Sequence, residues 1–183
     1  MSKVLTFSRV FPSYHPRKGE PTYFVEKIWN SLWLNGKRDI DYKMVCDLNP
    51  DKDIWDYWMK IERLEQNPKH HTIRAGHRWK VGDKFSPRVW SRKPYQSKQI
   101  IIAPDIEVKK VWDFKINVDD DYVLMTIDDW PLFEENMTFQ SHFDALEELA
   151  KNDGLTSDDF KSWFKYPSNF DGQIICWNDK IEY

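Results

Sequence analysis

At 183 residues the chain has room for one domain with a proper core, and not for two. Its hydrophobic share of 40% contains no apolar run of about 18 residues, which excludes a transmembrane helix. The net charge of −3 hides a strongly basic stretch, and the aromatic share of 16%, with ten Trp, implies a core of large rings with some left over to line a cleft.

In chain order, residues 3–11 alternate loosely and are rich in Val, Leu and Phe, which predicts an opening strand ended by Pro12. No signal-peptide apolar region is expected there. Residues 12–20 form a Pro- and Gly-bearing loop. Pro21 sits where a helix begins, with Phe24, Ile28, Trp29 and Leu32 at helical spacing and Asn35-Gly36 as its stop. A short apolar piece runs from Tyr42 to Leu48. Asp51 or Asp53 can cap a second helix over 53–66, with Ile54, Trp58 and Ile61 on one face, and Pro68 marks its end. Cys46 and Cys176 lie far apart and outside any C-x-x-C pair, so neither a disulfide framework nor a zinc site is expected, and a reducing cytoplasmic setting fits.

Residues 67–83 concentrate the chemistry. The β-favouring run His71-Thr72-Ile73-Arg74 places Thr72 and Arg74 on one face, because side chains alternate along a strand. Lys69, just before the run, has a stem long enough to reach that face. A lysine, a hydroxyl and a guanidinium there can bind an anion or activate a nucleophile, and the plain alternative is an exposed strand with ordinary surface charges. Histidines at 70, 71 and 77 match no recognised zinc spacing, and no metal or cofactor is expected.

Beyond Gly82-Asp83, residues 83–90 read as a strand interrupted at Pro87, hence an edge or a bulge. Residues 91–98 form a basic loop and 99–103 a short buried strand. Residues 107–118 and 122–127 read as a hairpin turning at Asp119-Asp120-Asp121. From Asp128 the pattern becomes helical. Phe143, Leu146, Leu149 and Ala150 define one helix over 139–151, and Asn152-Asp153-Gly154 ends it. Thr156 to Asp159 has the form of a capping box before Phe160, Trp163 and Phe164, and residues 173–177 are a last strand. The sum is an α+β fold, a sheet or small barrel of about six strands with helices packed outside.

Between Lys69 and Lys98 nine basic residues face Asp83 alone, a local balance of +8 that leaves −11 on the remainder of the chain. Trp79, Trp90 and Tyr95 are interleaved with them, a mixture that suits phosphate contact plus base stacking. A solvated charged face is the competing explanation.

The element order around Lys69-x-x-Thr72-x-Arg74 resembles the ASCH domain, a member of the PUA-like β-barrel group. The family motif G-x-K-x-x-E-x-R stands here as Asn67 to Arg74, with Asn67 in place of Gly and Thr72 in place of Glu. Thr at this place is similar to the small bacterial amidohydrolases of the family that act on N4-acetylated cytidine. Those also share a downstream Gly-Asp and an opening strand followed by Arg and Phe, here Arg9 and Phe11. Their late acidic residue matches Asp153, one methylene shorter than the family Glu. The resemblance covers residues 3–11 and 67–177 of a single domain, 1–183, with 12–66 as an enlarged, mainly helical insertion.

The resemblance implies an amidohydrolase in which Thr72 is the nucleophile, Lys69 eases its deprotonation, Arg74 steadies an oxyanion or a substrate carbonyl, and Asp153 orients Lys69 or relays a proton. A related expectation is RNA cleavage with His70 or His71 as acid or base, although His71 falls on the face opposite Thr72. A second reading is a non-catalytic module whose barrel mouth, ringed by Lys69, Arg74, Arg78, Lys80, Arg88 and Arg92, holds RNA or a modified nucleoside stacked on Trp79 or Trp90. A third is a protein-interaction role for the Trp-rich insertion, with Trp29, Trp33, Trp55 and Trp58, in a chain expected to be monomeric.

Overall fold

Among the described residues, nine strands and four helices follow the β-rich centre and helical flanks expected from the sequence. The computed structural model describes residues 2–37, 42–49, 67–119, 122–134 and 140–183. The predicted helix over 53–66, with Trp55 and Trp58, lies outside the described residues.

The first sheet is built on β1 (Lys3–Phe7) and β3 (Lys84–Trp90), paired in parallel from Lys3↔Phe85 to Phe7↔Val89. On the other side of β3, β4 (Gln99–Ile101) and β5 (Ile106–Glu107) pair with its two ends. Strand β3 is therefore central, not an edge, and Pro87 does not interrupt it. The partners on that side explain why. β5 covers Lys84 and Phe85 while β4 covers Arg88 to Trp90, so Pro87 falls in the gap between them, where no ladder N–H is required of it.

The second sheet runs β2 (His71–Ala75), β9 (Phe170–Cys176), β6 (Lys110–Asp119), β7 (Tyr122–Ile127) and β8 (Trp130–Glu134), all antiparallel. The predicted β6–β7 hairpin forms, with Asp119 opposite Tyr122. Strand β8 replaces the change to helix expected from Asp128. Asp128 and Asp129 both have positive φ, the two-residue turn geometry that returns a strand on itself, and Pro131 is tolerated because β8 lies at the sheet edge.

Among the described residues the strands form two sheets and no closed barrel. The chain leaves the first sheet at Val108, whose N–H donates to Asp83 O at 2.8 Å. It enters the second at Lys109, whose N–H donates to Cys176 O at 2.8 Å. The sheets are thus joined at a corner, and two- and three-residue strands leave the first sheet too small to close.

Helix α1 (Phe24–Leu34) buries Phe24, Ile28 and Leu32 of the predicted stripe and Val25 besides, while Trp29 is partly buried and donates its indole N–H to Ile102 O at 2.7 Å. Helix α2 (Tyr42–Leu48) is the short apolar piece. Helix α3 (Gln140–Asn152) buries Leu146, Leu149 and Ala150. Helix α4 (Ser157–Trp163) is capped as expected, with Thr156 Oγ1 accepting the Asp159 N–H at 3.1 Å. The core is one cluster in which Leu5, Phe85 and Val89 of the first sheet join Phe114, Ile116 and Ile174 of the second. Each such side chain contributes about 1.5–3 kcal/mol by leaving water.

Candidate functional site

The short segment before β2 is held from three directions. The Lys69 N–H donates to Lys27 O in α1 at 2.9 Å, the His70 N–H donates to Asn152 O at the end of α3 at 2.7 Å, and the Trp177 N–H donates to His70 O at 3.1 Å. These bonds fix where the Lys69 side chain enters the interior. Helix α3 then stops at Gly154, whose φ is +76°. A Cβ there would lie 3.2 Å from both Lys69 Cβ and Lys27 Cδ, so glycine answers both the backbone conformation and the close approach.

This turn delivers Asp153 to Lys69. The Lys69 ammonium donates to Asp153 Oδ1 at 2.6 Å and to Asp153 O at 2.5 Å, although 84 residues separate them. Lys69 is 1% exposed and its nitrogen lies 4.3 Å from the Phe24 ring centroid. Burial disfavours the charged amine, and the nearby Arg74 and Lys27 add to that. Asp153 opposes them, and the net effect lowers Lys69 to about 8. Burial likewise raises Asp153, against the pull of Lys69.

Thr72 and Arg74 do share a face of β2, as their spacing predicted. With Lys69 and Asp153 they line one cavity of about 270 Å³. Arg74 reaches across to the first sheet, where Nη2 donates to Thr6 O at 2.7 Å and the guanidinium lies 5.5 Å from the Phe7 ring centroid. Burial lowers its pKa. Among the described residues the Thr72 hydroxyl has no hydrogen-bond partner, which leaves it available to a ligand.

The cavity has aromatic lining from several parts of the fold, Phe7 of β1 among them. Trp90, Pro94 and Tyr95 come from the end of β3 and the turn after it, and Phe24, Trp163 and Phe164 come from α1 and the end of α4. Four of the expected ligand-binding residues stand elsewhere. Trp79 is 3% exposed, packed edge-on against Phe85 under the Lys3 ammonium, and offers no face to a base. Arg78 and Lys80 are exposed in the turn beyond β2, outside the cavity. Arg88 is tied down, with Nε donating to Ser86 Oγ at 3.1 Å and Nη1 to Gln99 Oε1 at 3.2 Å. Of the three rings read as suited to base stacking, Trp90 and Tyr95 line the cavity and Trp79 does not.

The two histidines considered for acid–base work are buried outside it. His70 Nδ1 lies 2.8 Å from Ser31 Oγ and 3.1 Å from Asn178 Nδ2. His71 points away from Thr72, edge-on to Tyr183, with Nδ1 3.5 Å from Asp153 Oδ1, and burial holds its pKa well below the ordinary value. Sequence reasoning missed Lys27, Trp163 and Phe164 as part of this region. No local signal marked Trp163 and Phe164, because with Phe160 they fall at i, i+3 and i+4 and read as one ordinary helix stripe.

Trp33, from the Trp-rich insertion, is 41% exposed, and no helix among the described residues is long and apolar enough to cross a membrane. No family model, curated protein or solved structure matches the chain.

Proposed function

We propose that this cavity is the active site of an amidohydrolase acting on an N-acylated aminopyrimidine, of the N-acylcytidine type, with Thr72 as nucleophile. The observation that carries the reading is the buried Lys69–Asp153 pair at 2.6 Å in the cavity that Thr72 and Arg74 also line. A neutral lysine amine has two N–H groups and one lone pair. The two oxygens that Lys69 meets in Asp153 occupy both N–H groups, which leaves the lone pair to accept the Thr72 proton.

Thr72 Oγ1 then attacks the amide carbonyl carbon as its proton passes to Lys69. Donors of Arg74 stabilise the oxyanion. The C–N bond breaks, Lys69 returns the proton to the leaving amine, and water hydrolyses the Thr72 ester by the same route reversed. An aromatic-lined pocket suits the flat pyrimidine. The ASCH-type likeness of Lys69, Thr72 and Arg74 supports the same assignment, and the PUA-like identity of the fold is part of this proposal.

The test is turnover of N4-acetylcytidine. Wild type hydrolyses it, and Thr72→Ala loses about 10²-fold or more in kcat while keeping its fold. Undiminished turnover by Thr72→Ala removes the nucleophile assignment.

The alternative, a non-catalytic RNA-binding module, draws on a single feature, the exposed Arg92 and Lys93 beside Tyr95. Phosphate reading by these residues requires affinity to fall steeply with salt, whereas a nucleoside pocket barely responds.

A further inference from the structure

The turn from β3 to β4 is well tied yet holds one residue in an unfavourable conformation. The Ser91 N–H donates to Lys98 O at 2.9 Å, and Ser97 Oγ accepts the Arg92 N–H at 3.0 Å and donates to Lys93 O at 2.9 Å. Arg9 Nη1 donates to Ser91 O at 2.9 Å and anchors the turn to the end of β1. Within it Tyr95 has φ +61°, the left-handed region where a bulky side chain is an outlier and glycine or asparagine is the ordinary occupant. The residue is 87% exposed, so core packing does not repay the strain. Its ring nonetheless lines the cavity and lies 5.3 Å from Trp90 between centroids, tilted by 50° and not stacked on it.

A tyrosine kept in a glycine position, facing water, at the rim of a cavity that holds a lysine, a carboxylate and a hydroxyl, is placed for a ligand. We propose that Tyr95 is a substrate-binding residue that, with Trp90, receives the planar heteroaromatic ring of the substrate and so selects aromatic bases over aliphatic amides. The inference rests on the reading of the cavity as a pyrimidine site and adds the residue that sets ring specificity at its mouth. Both rings line the same cavity, and stacking on them would discriminate flat rings from other amides without a hydrogen-bond code. Arg92 and Lys93, exposed on the same turn, leave the outer rim positive, where the polar remainder of a nucleoside would emerge.

The experiment titrates cytidine, which carries the ring and no scissile amide, into wild type, Tyr95→Gly and Tyr95→Phe by calorimetry, with melting temperatures alongside. The expected result is binding by wild type, affinity within about twofold for Tyr95→Phe, and a loss of about five- to a hundredfold for Tyr95→Gly. Tyr95→Gly is expected to melt no lower than wild type, because glycine relaxes the positive φ; a merely structural tyrosine would lower it. Equal cytidine affinity in wild type and Tyr95→Gly overturns this inference and leaves the pyrimidine site standing. Failure of wild type itself to bind cytidine overturns both.

Discussion

Strand β2 has a cluster of cation and carboxylate at each end, and the two behave in opposite ways. Before it, Lys69 meets Asp153 in the interior, with side chains only 1% and 7% exposed. Beyond it, His77 bridges Asp113 Oδ1 at 2.9 Å and Asp171 Oδ1 at 3.0 Å on the surface. The charge types are alike and the distances similar. At the buried end desolvation outweighs the carboxylate and the amine is pushed down to about 8. At the exposed end desolvation is slight, and hydrogen bonds to Asp113 and then Asp171 raise the His77 pKa. Proximity of opposite charges therefore does not decide which way a basic group's pKa moves; loss of water does.

The largest expected effect comes from breaking the buried pair. Lys69→Met strands the Asp153 carboxylate in the interior and is expected to cost about 3–5 kcal/mol in urea unfolding. The double variant Lys69→Met/Asp153→Leu should recover most of that stability and none of the proposed activity. Recovery of both would show the pair to be structural only.

A smaller effect separates the clusters by pH. The folded-state pKa of Lys69 lies below its ordinary value of 10.5, so between about 8 and 10.5 the unfolded chain holds the extra proton and stability rises with pH. The slope approaches about 1.4 kcal/mol per pH unit, and the difference between wild type and Lys69→Met isolates it. Catalysis through the neutral amine predicts kcat/KM rising with pH and levelling above about 8.

His77 gives the smallest effect and the opposite sign. Its raised pKa makes its stabilising contribution fully present below 6.5 and lost as pH rises through the folded value. His77→Gln should remove that dependence in thermal melts, added salt should weaken it in wild type, and the proposed hydrolysis should be unchanged.

Much of the scaffold was legible from local pattern. The α1 stripe, the Thr156 cap and the β6–β7 hairpin all depend on neighbours within a few residues, and each stands where spacing placed it. Strand β8 was not, because its turn residues, Asp128 and Asp129, resemble a helix start as readily as a tight reversal. The basic run misled too. It correctly marked a charged segment, but Trp79, in the turn beyond β2, packs into the core against Phe85, and Arg88 bonds Ser86 and Gln99 of its own sheet.

What the sequence by itself determined is the alternation of β2, which puts Thr72 and Arg74 on one side, and the helix stop at Asn152-Asp153-Gly154. Both follow from backbone geometry over a handful of residues. Only the tertiary structure decided that the stop of α3 meets the start of β2 across 84 residues, that Lys69 is sealed from water there, and that Tyr95 and Trp90 flank the result. Burial and long-range approach are properties of the packed whole, and the lysine's low pKa arises from them.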